Sequence, residues 1–85
     1  MFGLVVQMRR AVVSIPSNIA EGRRRRTDAD YCHFLTIAYG SGAELETQIE
    51  IIKRLPFGKD LNYFKSDLLL LETMKMLNGL ISSII

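Results

Sequence analysis

The row Leu4, Met8, Ala11, Ile15, Asn18 and Gly22 advances in alternating steps of four and three residues, and it keeps its phase across Pro16. A second row, Val5, Val12 and Ile19, runs beside it. Such spacing is the stripe of an amphipathic helix. A segment that ceased to be helical at Pro16 would have no reason to hold Asn18 and Ile19 in register. Proline removes one backbone donor and crowds the carbonyl four residues back, here that of Val12, so the spacing predicts a single helix over residues 3–21, kinked at Pro16. Ser14 and Ser17 are placed to satisfy the freed backbone groups.

Gly22 then falls where a C-terminal cap belongs. Thr27, followed three residues later by Asp30, resembles a capping box with Asp in place of Glu. A second helix is therefore expected over residues 28–54, stopped by Pro56, with Phe34, Ala38, Leu45, Ile49 and Ile52 as its core row. Its middle holds Gly40, Ser41, Gly42 and Ala43. An interior glycine costs on the order of 1 kcal/mol against alanine, and close approach of another backbone is the usual compensation. A loop at Gly40–Gly42 is the alternative. After the connection PFGKD, a third helix is expected over residues 60–83, with Phe64, Leu68, Leu71 and Leu77 in its core row and Met74 and Ile81 alongside. The leucines at 68 to 71 wrap most of the circumference, so this helix needs cover on more than one side. The fold class is all-α: three helices in a single domain, residues 1–85.

Charge is unevenly spread. Residues 1–26 carry six arginines against Glu21 alone, a net of +5, while residues 27–85 carry a net of −3. With 48% of residues hydrophobic, a chain this small cannot hide all its apolar surface, and part must face another chain or remain as a patch. Cys32 is the only cysteine, which excludes an intrachain disulfide and suits a reducing cytoplasm. The opening MFGLVVQM is too short for a signal peptide and its arginines follow it. The longest uncharged run, Tyr31 to Ala43, falls well short of the ~18 residues of a membrane span. A soluble, cytoplasmic protein is expected.

The runs QMRRAVVSIPSNIAEGRRR, FLTIAYGSGAELETQIEI and MLNGLI resemble the four-helix-bundle proteins of the 23S rRNA intervening-sequence family. The resemblance covers essentially the whole chain, and its SIPSNIAEG and GSGAELETQ segments are the specific ones. It implies an antiparallel bundle that in some relatives closes as a homopentameric ring. It also implies kinship with the accessory variability proteins of diversity-generating retroelements, basic rings that bind nucleic acid and a reverse transcriptase. The family pattern has one more helix ahead of the position matching Phe2, so the three helices here would leave its groove open. That favours oligomerisation, with a dimer built by sharing helices as the rival of the pentamer.

Two residue sets carry the functional expectations. Arg9 and Arg10 recur two heptads later as Arg23 and Arg24, about 21 Å along a straight helix, and Arg25 and Arg26 extend the cluster. Arginine's fork suits phosphate oxygens, so these six residues are the candidate contacts to RNA or DNA backbone. No aromatic interleaves the run, so base stacking is not indicated. The second set is a polar row beside the core: Arg10, Ser14, Asn18 and Glu21 on the first helix (with Ser17), and Ser41, Glu44 and Gln48 on the second. Its expected role is structural, with Arg10 or Arg24 neutralising Glu44 or Glu21. Glu21, near a helix C-terminus, needs a cationic partner.

Enzymatic signals are thin. Cys32 and His33 are adjacent, so their side chains diverge by about 100° around a helix, and no further ligands complete a zinc site. Gly40–Gly42 lacks the Lys-Ser/Thr ending of a phosphate loop. No catalytic residue, metal or cofactor is expected. The reading is a non-enzymatic nucleic-acid-binding oligomer, with a protein-interaction scaffold whose groove takes a partner's helix as the alternative.

Overall fold

The computed structural model describes residues 2–84. The chain forms three helices, α1 (Phe2–Arg23), α2 (Asp28–Arg54) and α3 (Phe64–Ile84). The fold is an all-α bundle, and α1 runs through Pro16 without interruption. No helix among the described residues is long and apolar enough to cross a membrane.

Local chemistry sets the ends of α2. Thr27 is extended, and its hydroxyl accepts a hydrogen bond from the Asp30 amide at 3.2 Å. Asp28 and Asp30 in the first turn, and Lys53 and Arg54 in the last, complement the helix dipole. At the other end Leu55 is extended, as a residue preceding proline prefers.

The third helix begins four residues later than its periodicity suggests, because residues 55–63 form a hydrogen-bonded turn. The amides of Gly58 and Lys59 both donate to the Leu55 carbonyl, and the Leu61 amide donates to that of Gly58. The Tyr63 hydroxyl donates to the Gly58 carbonyl at 2.7 Å, and the Asn62 side chain accepts from the Phe64 amide. Asp60, expected at the helix start, is consumed by this turn. Lys53, in the last turn of α2, ties that helix to α3 by bonding Asp67 at 2.7 Å, and also bonds Glu50 of its own helix at 3.2 Å. Those two hydrogen bonds raise the Lys53 pKa.

α2 is the centre of the molecule. It packs against both neighbours, while α1 and α3 do not pack against each other. The result is a slab with extents of 46 × 23 × 14 Å and a radius of gyration of 14.3 Å. A compact chain of this length would have a radius near 12 Å. An open groove runs between α1 and α3, with α2 as its floor.

The core is one cluster: Ala11 and Ile15 from α1, Leu35, Ala38, Leu45 and Ile49 from α2, and Leu70, Met74 and Leu77 from α3. This corrects the expected faces of two helices. On α2, Leu35 is fully buried while Phe34 and Ile52 are only half-buried. On α3, the buried stripe is Leu70–Met74–Leu77, and Phe64, Leu68 and Leu71 are exposed, Phe64 at 72%. The physical reason is degeneracy. A run of four leucines satisfies several helical phases, and only the surface of α2 selects among them.

Glycine takes part in that selection. Gly22 is not a cap: it lies inside α1 without positive φ, buried where a Cβ would come within 2.9 Å of the Tyr31 ring. Gly42 is buried with no room for a Cβ beside the Met74 sulfur, whereas Gly40 faces open space. One of the two central glycines thus admits the neighbouring helix, through a side chain and not a backbone. The flexible Met74 thioether can move aside for a methyl group, so Gly42→Ala is expected to cost little. Gly42→Leu should overpack the α2–α3 seam and lower stability by about 1–3 kcal/mol, read from thermal melts followed by circular dichroism. An unchanged melting temperature for the leucine variant would exclude this seam.

Candidate nucleic-acid interface

The connection between α1 and α2 is a tight corner made largely of arginine. After Arg23, the last residue of α1, the Arg24 amide donates to the Glu21 carbonyl at 3.2 Å and the Arg25 amide to that of Gly22 at 3.1 Å. These bonds close the last turn of α1, and Thr27 then opens α2. The close approach at Gly22 lets the end of α1 meet the start of α2, so the arginines are crowded at one end of the slab. All four, Arg23 to Arg26, are exposed.

They are not equivalent. The Arg25 guanidinium pairs with the Glu21 carboxylate one turn back and lies 4.8 Å from the centre of the Phe34 ring. Glu21 therefore has its cation, and that cation is Arg25, neither Arg10 nor Arg24. The pair is half-exposed on both sides. Exposed pairs at this spacing contribute roughly 0.3–0.5 kcal/mol. Arg23, Arg24 and Arg26 make no ion pair or side-chain hydrogen bond among the described residues, and neither do Arg9 and Arg10, which are exposed on α1. Asp28 and Asp30 follow the corner immediately and offset part of its charge.

The polar row divides into two groups. Ser14 and Ser41 share a hydrogen bond of 2.7 Å across the α1–α2 seam, and the Asn18 amide nitrogen donates to both the carbonyl and the hydroxyl oxygen of Ser14. Separately, the Gln48 amide nitrogen donates to Glu44 at 3.1 Å on the same helix. The Gln48 carbonyl oxygen is buried without a partner. Arg10 belongs to neither group. The sequence placed it there because helical spacing cannot tell a seam from the solvent-facing side next to it.

His33 is exposed, its ring edge-on to Phe34, and Cys32 is half-buried beside it. Among the described residues no group of three His, Cys, Asp or Glu side chains could hold a metal ion. What sequence reasoning missed is the Arg25–Phe34 contact, whose only signal was an aromatic nearly two helical turns inside α2.

A helical bundle with a basic corner and a polar seam belongs to the small all-α proteins. The chain is a member of the 23S rRNA-intervening sequence protein family, whose model matches residues 1–79. Among curated proteins, none matches it significantly. The family's description names no reaction.

Proposed function

We propose that the protein is a non-enzymatic binder of nucleic-acid backbone, and that Arg23, Arg24 and Arg26 are its principal phosphate contacts. The observation that supports this is the set of three exposed guanidinium groups at one corner, none of them paired with a carboxylate among the described residues. Arg9 and Arg10 extend the basic surface along α1, roughly 21 Å away for fourteen residues of helix. Arg25 holds the corner together through Glu21 and Phe34. Contacts of this kind read charge and spacing, so RNA and duplex DNA of differing sequence should bind alike. Copies of the chain assembled together would multiply the corner into a larger basic surface.

Binding is measured by fluorescence anisotropy of a labelled DNA duplex and an RNA hairpin over a range of salt. Each phosphate contact adds roughly −0.9 to the slope of log affinity against log salt on duplex DNA. Replacing Arg23, Arg24 and Arg26 with alanine should flatten that slope by about 2–3 and leave the melting temperature unchanged. Arg25→Ala should act differently, lowering stability by about half a kcal/mol or less while changing the slope little. A parent protein that fails to bind near 0.15 M salt (a screening length of about 8 Å) overturns the proposal. So does a triple variant that binds as the parent does. The groove between α1 and α3 would then favour the scaffold reading, with the arginines reduced to a solvated helix end.

A further inference from the structure

Among the described residues, Thr27 is the one serine or threonine outside a helix. Elsewhere the hydroxyls are largely occupied: Ser14 and Ser41 bond each other, and Thr36, Thr47, Thr73 and Ser83 each donate to a carbonyl of their own helix. Thr27 is exposed, and its backbone is extended, at φ −118° and ψ 150°. Its oxygen accepts from the Asp30 amide, while its proton has no acceptor among the described residues. Four arginines stand immediately ahead of it. Two hydrogen bonds, from the Arg24 and Arg25 amides to the Glu21 and Gly22 carbonyls, hold the backbone there, so the segment straightens by fraying one turn of α1. From Glu21 to Asp30 the side chains carry four positive and three negative charges, a net of only +1.

We infer that Thr27 is a phosphorylation site, and that a phosphoryl group there switches off the basic corner. The switch rests on the backbone-binding role; the modification does not. The exposed guanidinium groups of Arg23, Arg24 and Arg26 are handles for a protein kinase whose substrate groove carries carboxylates. In the transfer, the Thr27 hydroxyl oxygen bonds the terminal phosphorus of a nucleoside triphosphate. The bond from that phosphorus to the bridging oxygen breaks, the hydroxyl proton passes to the kinase's base, and the nucleoside diphosphate leaves. Phosphothreonine carries about −1.5 to −2 at pH 7, which turns the net charge of the corner from positive to negative. Its oxygens take over the Asp30 amide at the start of α2, where the helix dipole favours an anion. Asp28 and Asp30 oppose it from the same turn, but the three unpaired arginines are drawn to it by charge-assisted hydrogen bonds. They are the same groups that would hold nucleic-acid phosphates. The phosphothreonine therefore competes for them from within the chain.

The test uses the whole chain, Mg-ATP and an arginine-directed protein kinase. Tandem mass spectrometry should find one phosphoryl group per chain, on Thr27. Thr27→Ser should be modified as well. Thr27→Asn keeps a capping oxygen but has no hydroxyl, so it should take up none while melting as the parent does. In fluorescence anisotropy with a labelled DNA duplex, the phosphorylated chain should bind at least about tenfold more weakly than the unmodified chain at the same salt, with a salt slope flatter by about 2–3. Its melting temperature should not fall, and a phosphatase should restore binding. The site is overturned by a chain that takes up no phosphoryl group, or by equal uptake in Thr27→Asn. A phosphorylated chain that binds as the unmodified one does overturns the switch and leaves the backbone-binding role standing. An unmodified chain that binds no duplex overturns that role and the switch together, and the mass measurement still decides the site.

Discussion

Leu77→Ala should remove about 2–5 kcal/mol of stability, the loss expected when a fully buried leucine is cut back in a core that relaxes only partly. Leu77, like Leu35 and Ala38, has no exposure at all. It sits on a helix with a single neighbour, since α3 packs on α2 and not on α1. No second interface within the chain can compensate. A domain of this length has roughly 4–13 kcal/mol in total, so the variant should lose much of its cooperative urea transition at 37 °C. The control is Phe64→Ala. Phe64 stands in the core row that the periodicity suggests, yet it is largely exposed, and its replacement should move stability by about 0.5 kcal/mol or less. Equal losses for the two variants would mean that the phase of α3 is not the one described.

Gly58→Ala should cost about 2–3 kcal/mol, although alanine is usually the better residue. A Cβ at Gly58 would run into the Ile52 carbonyl oxygen and lie 2.6 Å from the Ile52 Cγ2 and 2.8 Å from the Tyr63 hydroxyl. The carbonyl belongs to the last turn of α2, so relief requires the backbone of the turn to shift. The Tyr63 hydroxyl is held to the Gly58 carbonyl itself, so the same shift loosens the hydrogen bond that fixes the entry to α3. Gly79→Ala is the matched comparison. It meets nothing within 4 Å in the middle of α3, and should stabilise by about 0.5–1 kcal/mol through helix propensity alone. Thermal unfolding of the three proteins side by side orders them: Gly79→Ala, parent, Gly58→Ala. A Gly58→Ala variant as stable as the parent would show that the turn adopts another path.

Much of the fold was legible because its signals are local. Thr27 and Pro56 bracket α2 at the residues observed, since a cap needs only a side chain and an amide three residues away. The continuation of α1 through Pro16 was legible from one unbroken stripe. The arginine cluster was legible as composition, and the need of Glu21 for a cation followed from its place near a helix C-terminus. The surplus of apolar surface on α3 could be read from Leu68–Leu71 before any packing was known.

Tertiary structure decided what depends on a second surface. Four successive leucines fit several phases equally, and contact with α2 around Gly42 and Met74 turned Leu70 and Leu77 inward and Phe64 outward. Residues 60–63 could begin a helix, but the Tyr63 hydroxyl and Leu61 amide both find the Gly58 carbonyl, and the turn wins. Arg25, and not Arg10 or Arg24, meets Glu21 because the corner closes one turn back and Phe34 arrives from α2 to hold the guanidinium. The sequence alone determined that there are three helices, where the middle one begins and ends, and at which end the positive charge gathers, because spacing and capping act within one or two turns. Only the packed chain decided which faces are buried, which arginines stand without an ion pair among the described residues, and that α1 and α3 stand apart across an uncharged groove, because each of these is a relation between residues that meet only when one helix lies against another.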